Sequence, residues 1–277
     1  SMQKVQEAAV DGFQTLISQQ AMSLASSPGS AINVSLYTFS DDVKAEFEGI
    51  PVQEVVVPRI VSMGNTALMD AIGVAIGKNR ARFAEDKPDA VILLIITDGE
   101  ENSSKEIRRD ACKSLIAQVK EEGWTVNFMC SEESTMKWSQ DLGAHALRVD
   151  LLNSAGTRAS FAAASAGVTQ YRSAFLSADA PTRGVMRGAS IVSAANYAEA
   201  LKSFGGSDQS SSVNPRSPVA TPAVARGLIN DVIPPTPGVP MKTGVVYASL
   251  GSADNPLPTE EDLVKFIRDT RDVLKNQ

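Results

Sequence analysis

Ala90-Val91-Ile92-Leu93-Leu94-Ile95-Ile96-Thr97-Asp98-Gly99-Glu100-Glu101-Asn102 is the stretch that decides the fold of this chain. Seven apolar residues run without alternation, the pattern of a strand buried on both faces, as at the centre of a parallel sheet. A strand with one wet face would alternate with a period of two. The run stops at Thr97-Asp98-Gly99, a turn signal. Ligands of open α/β sheets bind outside the carboxyl ends of the strands. The loop that closes the strand is therefore the first place to look for chemistry.

Helices and strands alternate on either side of this strand. Apolar residues at Val5, Ala8, Ala9, Phe13, Leu16 and Ile17 make a helical stripe from Met2 to about Ala25. Ser26–Ser30 is a loop by composition, and Ile32–Phe39 alternates as a strand. Residues 43–57 read as a short edge strand and its return, with Pro51 and Pro58 suited to an edge. Thr66–Phe83 reads as a helix and Lys105–Glu122 as an amphipathic helix ended by Gly123. Strands are expected at Trp124–Cys130 and Ala144–Val149, and helices at Ser134–Leu142 and Thr157–Ala174. The expected architecture is α/β, a three-layer, doubly wound, mostly parallel sheet of Rossmann-like type with a Pro-rich C-terminal extension.

The character changes after about Phe175. Residues 176–204 read as a mixed connector with a short helix at Ala194–Phe204. Residues 205–240 hold seven of the fourteen prolines and a Ser/Gln tract, an extended segment by composition. Residues 241–277 read as a strand near Thr243–Leu250 followed by a helix at Thr259–Asn276. The expected division is thus 1–175, 176–204, 205–240 and 241–277.

Composition narrows the function. The 277 residues are 43% hydrophobic and 21% charged, with a net charge of −6, which argues against a nucleic-acid-binding or anionic-membrane surface. One histidine, His145, excludes a multi-histidine zinc site and reads as structural. Cys112 and Cys130 read as buried thiols of a reducing compartment. No apolar run is long enough for a transmembrane helix, and neither common Gly-rich phosphate loop is present.

Two junctions carry possible chemistry. Met63-Gly64-Asn65-Thr66-Ala67-Leu68 places a hydroxyl just before a helix, and Thr97-Asp98-Gly99 places a carboxylate just after the central strand. A hydroxyl and a carboxylate form a hard oxygen donor set suited to Mg²⁺. Read singly, Gly64-Asn65-Thr66 is also a helix N-cap and Thr97-Asp98-Gly99 a turn. Asp41-Asp42 reads as a solvated turn, and Glu100-Glu101 as either a rim of the site or a wet surface.

Together these residues resemble the von Willebrand factor A (vWA) family, particularly its small bacterial and phage-encoded members. Gly64-Asn65-Thr66-Ala67-Leu68 is similar to the second motif of the family's metal ion-dependent adhesion site, and Thr97–Asn102 to the third. Ser1-Met2 is similar to the end of the first motif, and the likeness covers about residues 1–175. The resemblance implies Mg²⁺ held by Ser1, Thr66 and Asp98, with a coordination position left for a partner's carboxylate.

The chain departs from the family at its start. The first central strand of the family, with its Asp and first Ser, has no counterpart before Ser1. A product that continues upstream of Ser1 is the expected explanation. The alternatives are a gene lacking the strand, a cloning remnant at Ser1-Met2, and a replacement strand at Val245–Ser252. That last segment is expected instead to be a strand of the C-terminal extension.

The resemblance implies a non-enzymatic module that binds protein partners, cytoplasmic or part of a phage particle, with no nucleic acid and no membrane. The alternative is a structural subunit of a large assembly, such as a virion or tail, with an unused metal site and neighbouring subunits as partners.

Overall fold

The computed structural model describes residues 2–27, 29–59, 65–84, 86–205 and 242–250, with residues 2–4 and 242–250 described by their backbone alone. Its strands are β1 (Ala31–Phe39), β2 (Val43–Pro51), β3 (Ala90–Thr97), β4 (Trp124–Cys130), β5 (His145–Arg148) and β6 (Lys242–Leu250). They form one sheet in the order β2-β1-β6-β3-β4-β5. Among the described strands the β1–β2 pair is antiparallel and the other pairings are parallel.

The uniform apolar run behaves as its pattern requires. All eight residues of β3 are buried. Ala90, Ile92, Leu94 and Ile96 face one core with Phe13, Leu16, Ile32, Val34 and Phe161, whereas Val91, Leu93 and Ile95 face another with Leu68, Ile72, Ile116 and Phe128. Full burial of such side chains contributes about 1.5–3 kcal/mol each, which makes β3 the anchor of both layers.

Helices α1 (Met2–Ala25), α5 (Ser154–Ser177) and α7 (Ala194–Ser203) cover the first face. Phe13 of α1 meets Phe161 of α5 edge-on, with ring centroids 6.3 Å apart. Gly12 lets that ring approach, because a Cβ on residue 12 would lie 2.6 Å from Phe161 Cδ2. The buried Gln20 amide of α1 donates to Ser165 Oγ at 3.0 Å and Thr169 Oγ1 at 3.0 Å. Helices α2 (Leu68–Phe83), α3 (Arg109–Glu121) and α4 (Glu133–Asp141) lie on the other face.

Three expectations change. The helix read at Lys105–Glu122 starts only at Arg109. The backbone N–H groups of Lys105, Glu106 and Ile107 donate instead to the Asp70 carboxylate at 2.7, 3.1 and 2.7 Å, so that stretch is a loop laid over α2. Residues 176–204, read as a mixed connector with a short helix at Ala194–Phe204, carry that helix as α7 and a further one, α6 (Ala180–Met186), and Ile191, Tyr197 and Leu201 are buried in the same core as α1 and α5. The segment at Val245–Ser252, read as a strand of an extension, contributes β6 to the centre of the sheet. Ala31–Phe39 pair with Lys242–Leu250 on one side, and Ala90–Ile95 with Thr243–Ala248 on the other. The Pro-rich segment 206–241 and the helix expected at Thr259–Asn276 lie outside the described residues.

A polar network ties the β1–β2 edge to α2. The buried Asn79 of α2 accepts from Ser35 Oγ at 3.0 Å and donates to Tyr37 Oη at 3.1 Å. Tyr37 donates to Glu48 at 2.6 Å, and Arg82 donates to both Ser35 Oγ and Asn79 Oδ1. Gly49, at φ +63°, passes so close beneath the Arg82 guanidinium that any side chain there would collide with it.

Candidate functional site

The parallel strands β1, β3, β4 and β6 end on one edge of the sheet, and the loops leaving β1, β3 and β4 meet there. β1 leads into Ser40-Asp41-Asp42, β3 into Asp98-Gly99-Glu100, β4 into Ser131-Glu132, and β6 stops beside β1 at the Leu250–Phe39 pair. The 65–67 loop enters α2 at the same edge, since the Ala67 N–H donates to Ser40 O at 2.7 Å.

Thr66 and the loop after β3 are clamped together. The Thr66 N–H donates to Asn102 Oδ1 at 2.8 Å, and the Asn102 N–H returns to Thr66 O at 3.1 Å. A Cβ on residue 99 would stand 2.6 Å from Thr66 Oγ1, so the absence of a side chain at Gly99 lets the hydroxyl approach. The two expected donors, Thr66 and Asp98, are thus on adjoining loops, with Gly99 between them. Ser1, the third expected donor, lies outside the described residues.

Helix α2 is not capped by Thr66. Its N-cap residue is Ala67, which makes no side-chain cap bond. The free N–H groups of its first turn are met from the β3 loop instead: Met69 N–H donates to Glu101 Oε2 at 2.8 Å and Asp70 N–H to Ser104 Oγ at 3.1 Å. Glu101 also accepts from the N–H groups of Ser103 and Ser104 at 3.0 and 2.8 Å. Sequence reading offered Glu101 as a rim or a wet surface; it is the hinge pin of both loops. The available signal was its distance of three residues from Ser104, which makes a local carboxylate–hydroxyl pair possible. Asp70 carried only the signal of an acid in a first helical turn.

Asp98 is half-buried, and burial, with the negative Glu132 adding to it, holds its carboxyl above the ordinary Asp range against the lowering effect of its own backbone N–H. Among the described residues no other residue donates a hydrogen bond to its carboxylate; Ser131 Oγ donates to the Asp98 carbonyl, at 3.2 Å. The neighbouring acids are engaged elsewhere: Glu100 accepts from the Ser134 hydroxyl, and Asp41 accepts from Asn65 Nδ2 at 2.5 Å. Asp42 pairs with Lys105 at 3.7 Å, in keeping with a solvated turn.

A half-buried carboxylate on the loop that adjoins the Thr66 hydroxyl, with the Thr66 backbone fixed by Asn102, fits a hard divalent ion such as Mg²⁺ in donor chemistry. Among the described residues no group of three or more His, Cys, Asp or Glu side chains is placed to hold a metal. The fit therefore rests on one carboxylate and one hydroxyl. His145 is structural, with Nε2 2.7 Å from Gly188 O, and Cys112 and Cys130 are free and buried. No described helix is long and apolar enough to cross a membrane. Comparison with protein-family models, curated proteins and solved structures finds no match in any of the three, so the functional reading rests on this edge of the sheet.

Proposed function

We propose that the chain is a vWA-type interaction module, non-enzymatic, which recognises a carboxylate of a protein partner through Mg²⁺ at the Thr66–Asp98 edge. The observation that carries the reading is the half-buried Asp98 carboxylate, raised in pKa by its burial, on the loop whose Gly99 admits Thr66 Oγ1. The central place of β6 in the sheet also supports it, since the resemblance calls for a first strand in the middle.

Each residue has a separate task in this reading. Asp98 and Thr66 offer hard oxygen donors at the strand ends. Asn102 fixes Thr66 through one bond from its side chain and one from its backbone, and Glu101 holds the start of α2 against the β3 loop. Such fixed donors lose little freedom on binding, which favours affinity. When bound, Mg²⁺ supplies a Lewis-acid centre with a position open to an incoming carboxylate.

The test is a titration of the full chain with Mg²⁺ followed by calorimetry, with Mn²⁺ as a paramagnetic stand-in read by broadening of the amide signals of Thr66 and Gly99. Asp98→Ala is expected to abolish both signals while leaving the far-UV circular dichroism unchanged. Equal binding by the wild type and Asp98→Ala would sink the reading. A chain that ignores Mg²⁺ and self-associates would favour the structural-subunit alternative.

A further inference from the structure

Strand β4 turns two polar side chains into the core that α1, α5 and α7 cover. Its residues alternate between faces, with Val126 and Phe128 on one and Met129 on the other, so Thr125 and Asn127 share the face of Met129. Both are fully buried. Each holds the segment between α6 and α7. Thr125 Oγ1 accepts the Gly188 N–H at 3.2 Å, while Asn127 Oδ1 accepts the Ile191 N–H at 3.0 Å and the Ser190 hydroxyl at 3.2 Å. Helix α5 closes on the same segment, since a Cβ on Gly167 would lie 1.9 Å from Ile191 O.

These bonds fix which way the Asn127 amide points. The Ile191 N–H is a donor, so Oδ1 must meet it and Nδ2 must point away from it. There Nδ2 is buried with no acceptor. Tyr171 of α5, 7% exposed, brings its hydroxyl to the same strand. Burial raises the pKa of that hydroxyl, and the neighbouring Thr125 hydroxyl acts in the opposite direction. The two are nonetheless too poorly aligned for a hydrogen bond, and Tyr171 Oη is buried without a partner. Two orphaned donors therefore lie between β4 and α5, in a class of buried group that almost always has a partner.

We propose that this place between β4 and α5 is a binding site for one ordered water, whose oxygen accepts from both Asn127 Nδ2 and Tyr171 Oη. A buried water needs a few polar partners, and its oxygen takes two hydrogen bonds from neutral donors at once. An anion fits worse, because two neutral donors do not repay its loss of hydration. Arg187, which also bears on the Tyr171 hydroxyl, is exposed and donates to the Asp89 carbonyl at 3.4 Å. The second lone pair of Thr125 Oγ1 is available to one of the water's own hydrogens. Held from behind by the water, the Asn127 amide keeps its oxygen on Ile191, so the water is part of what fastens residues 187–192 to the sheet.

The test compares the full chain with its Tyr171→Phe variant, which loses one donor and keeps the ring stacked on Phe175 at 5.7 Å. Oxygen-17 relaxation dispersion of the solvent counts long-lived buried waters and is blind to proton exchange with hydroxyl groups. The variant is expected to hold one such water fewer than the wild type. Its urea midpoint is expected to fall, because a bridged hydroxyl has been removed. The Ile191 amide should exchange faster in the variant, as its acceptor is no longer held from behind. Equal dispersion amplitudes in the two proteins would overturn the proposal. So would a higher urea midpoint in the variant, the result for a hydroxyl buried with no partner at all. Unchanged exchange at Ile191 would overturn the fastening of residues 187–192 through the water.

Discussion

Glu101 Oε2 accepts the backbone N–H of Met69 at 2.8 Å, so a residue from the loop after β3 caps a helix that starts after a different loop. The same carboxylate accepts two N–H groups of its own loop. Replacing it should therefore loosen both loops. Glu101→Ala is expected to lower stability by about 1–2 kcal/mol, the usual cost of a lost cap, with Glu101→Gln costing less. Urea unfolding of the two variants beside the wild type checks this.

Gly99 is the point of closest approach between the two loops. Gly99→Ala would place a methyl group 2.6 Å from Thr66 Oγ1, so the hydroxyl must move. The expected result is at least a tenfold loss of Mg²⁺ affinity with little change in unfolding midpoint. Calorimetry and thermal unfolding of the same sample separate the two effects.

The raised pKa of Asp98 has a sign that can be followed. A carboxyl whose folded pKa lies above its unfolded value of 3.8 binds its proton more tightly in the folded state. Its contribution therefore favours folding at low pH and is lost as the pH rises through the folded pKa. At neutral pH the charged form opposes folding. Asp98→Asn is thus expected to raise the unfolding temperature slightly at pH 7 in a chelator, with the gain shrinking as the pH falls through the raised folded pKa and gone below the unfolded value of 3.8. A loss of stability at pH 7 would contradict this account.

Asn79 sits where Ser35, Tyr37 and Arg82 converge. Asn79→Ala would take away the acceptor of the Ser35 hydroxyl and one donor to Tyr37 Oη, although Ser35 still accepts from Arg82 and Tyr37 still donates to Glu48; each lost buried bond costs about 1–3 kcal/mol. An overall loss of about 2–4 kcal/mol is expected, measured by denaturant unfolding. Because the network joins β2 to α2, exchange of the β2 amides should accelerate with it.

The two thiols should be silent. Burial, with Glu101 and Asp70 adding to it, pushes the Cys112 thiol up to about 12, and burial pushes Cys130 to about 11. A thiol-specific disulfide reagent at pH 8 is expected to find no reactive cysteine in the folded chain and two after denaturation.

Much of the fold was legible because its central strand is unusual. Only a strand covered on both faces can hold Ala90–Ile96 without a polar residue, and the Asp98-Gly99 turn had to end it. The placement of Thr66 and Asp98 on adjoining loops was legible for the same reason. The late start of α3 was not, because helical periodicity at 105–108 does not show that Asp70, far away in sequence, takes the N–H groups that a helix would leave free. Nor was the helical cap, since Glu101 acts on α2 through space and not through the positions before that helix. The central place of β6 depended on a pairing between residues 31 and 242, and no local pattern reports which strands become neighbours.

That pairing also sets an order of events during synthesis. The sheet's centre is filled by the strand that leaves the ribosome after the other five, so β1 and β3 must wait, with their facing edges open, through the translation of all that lies between. Pairings so distant along the chain form slowly, and open edges invite association between chains. The nascent protein is therefore most exposed to chaperones, and to its own neighbours on a polysome, in the interval before Lys242–Leu250 emerges.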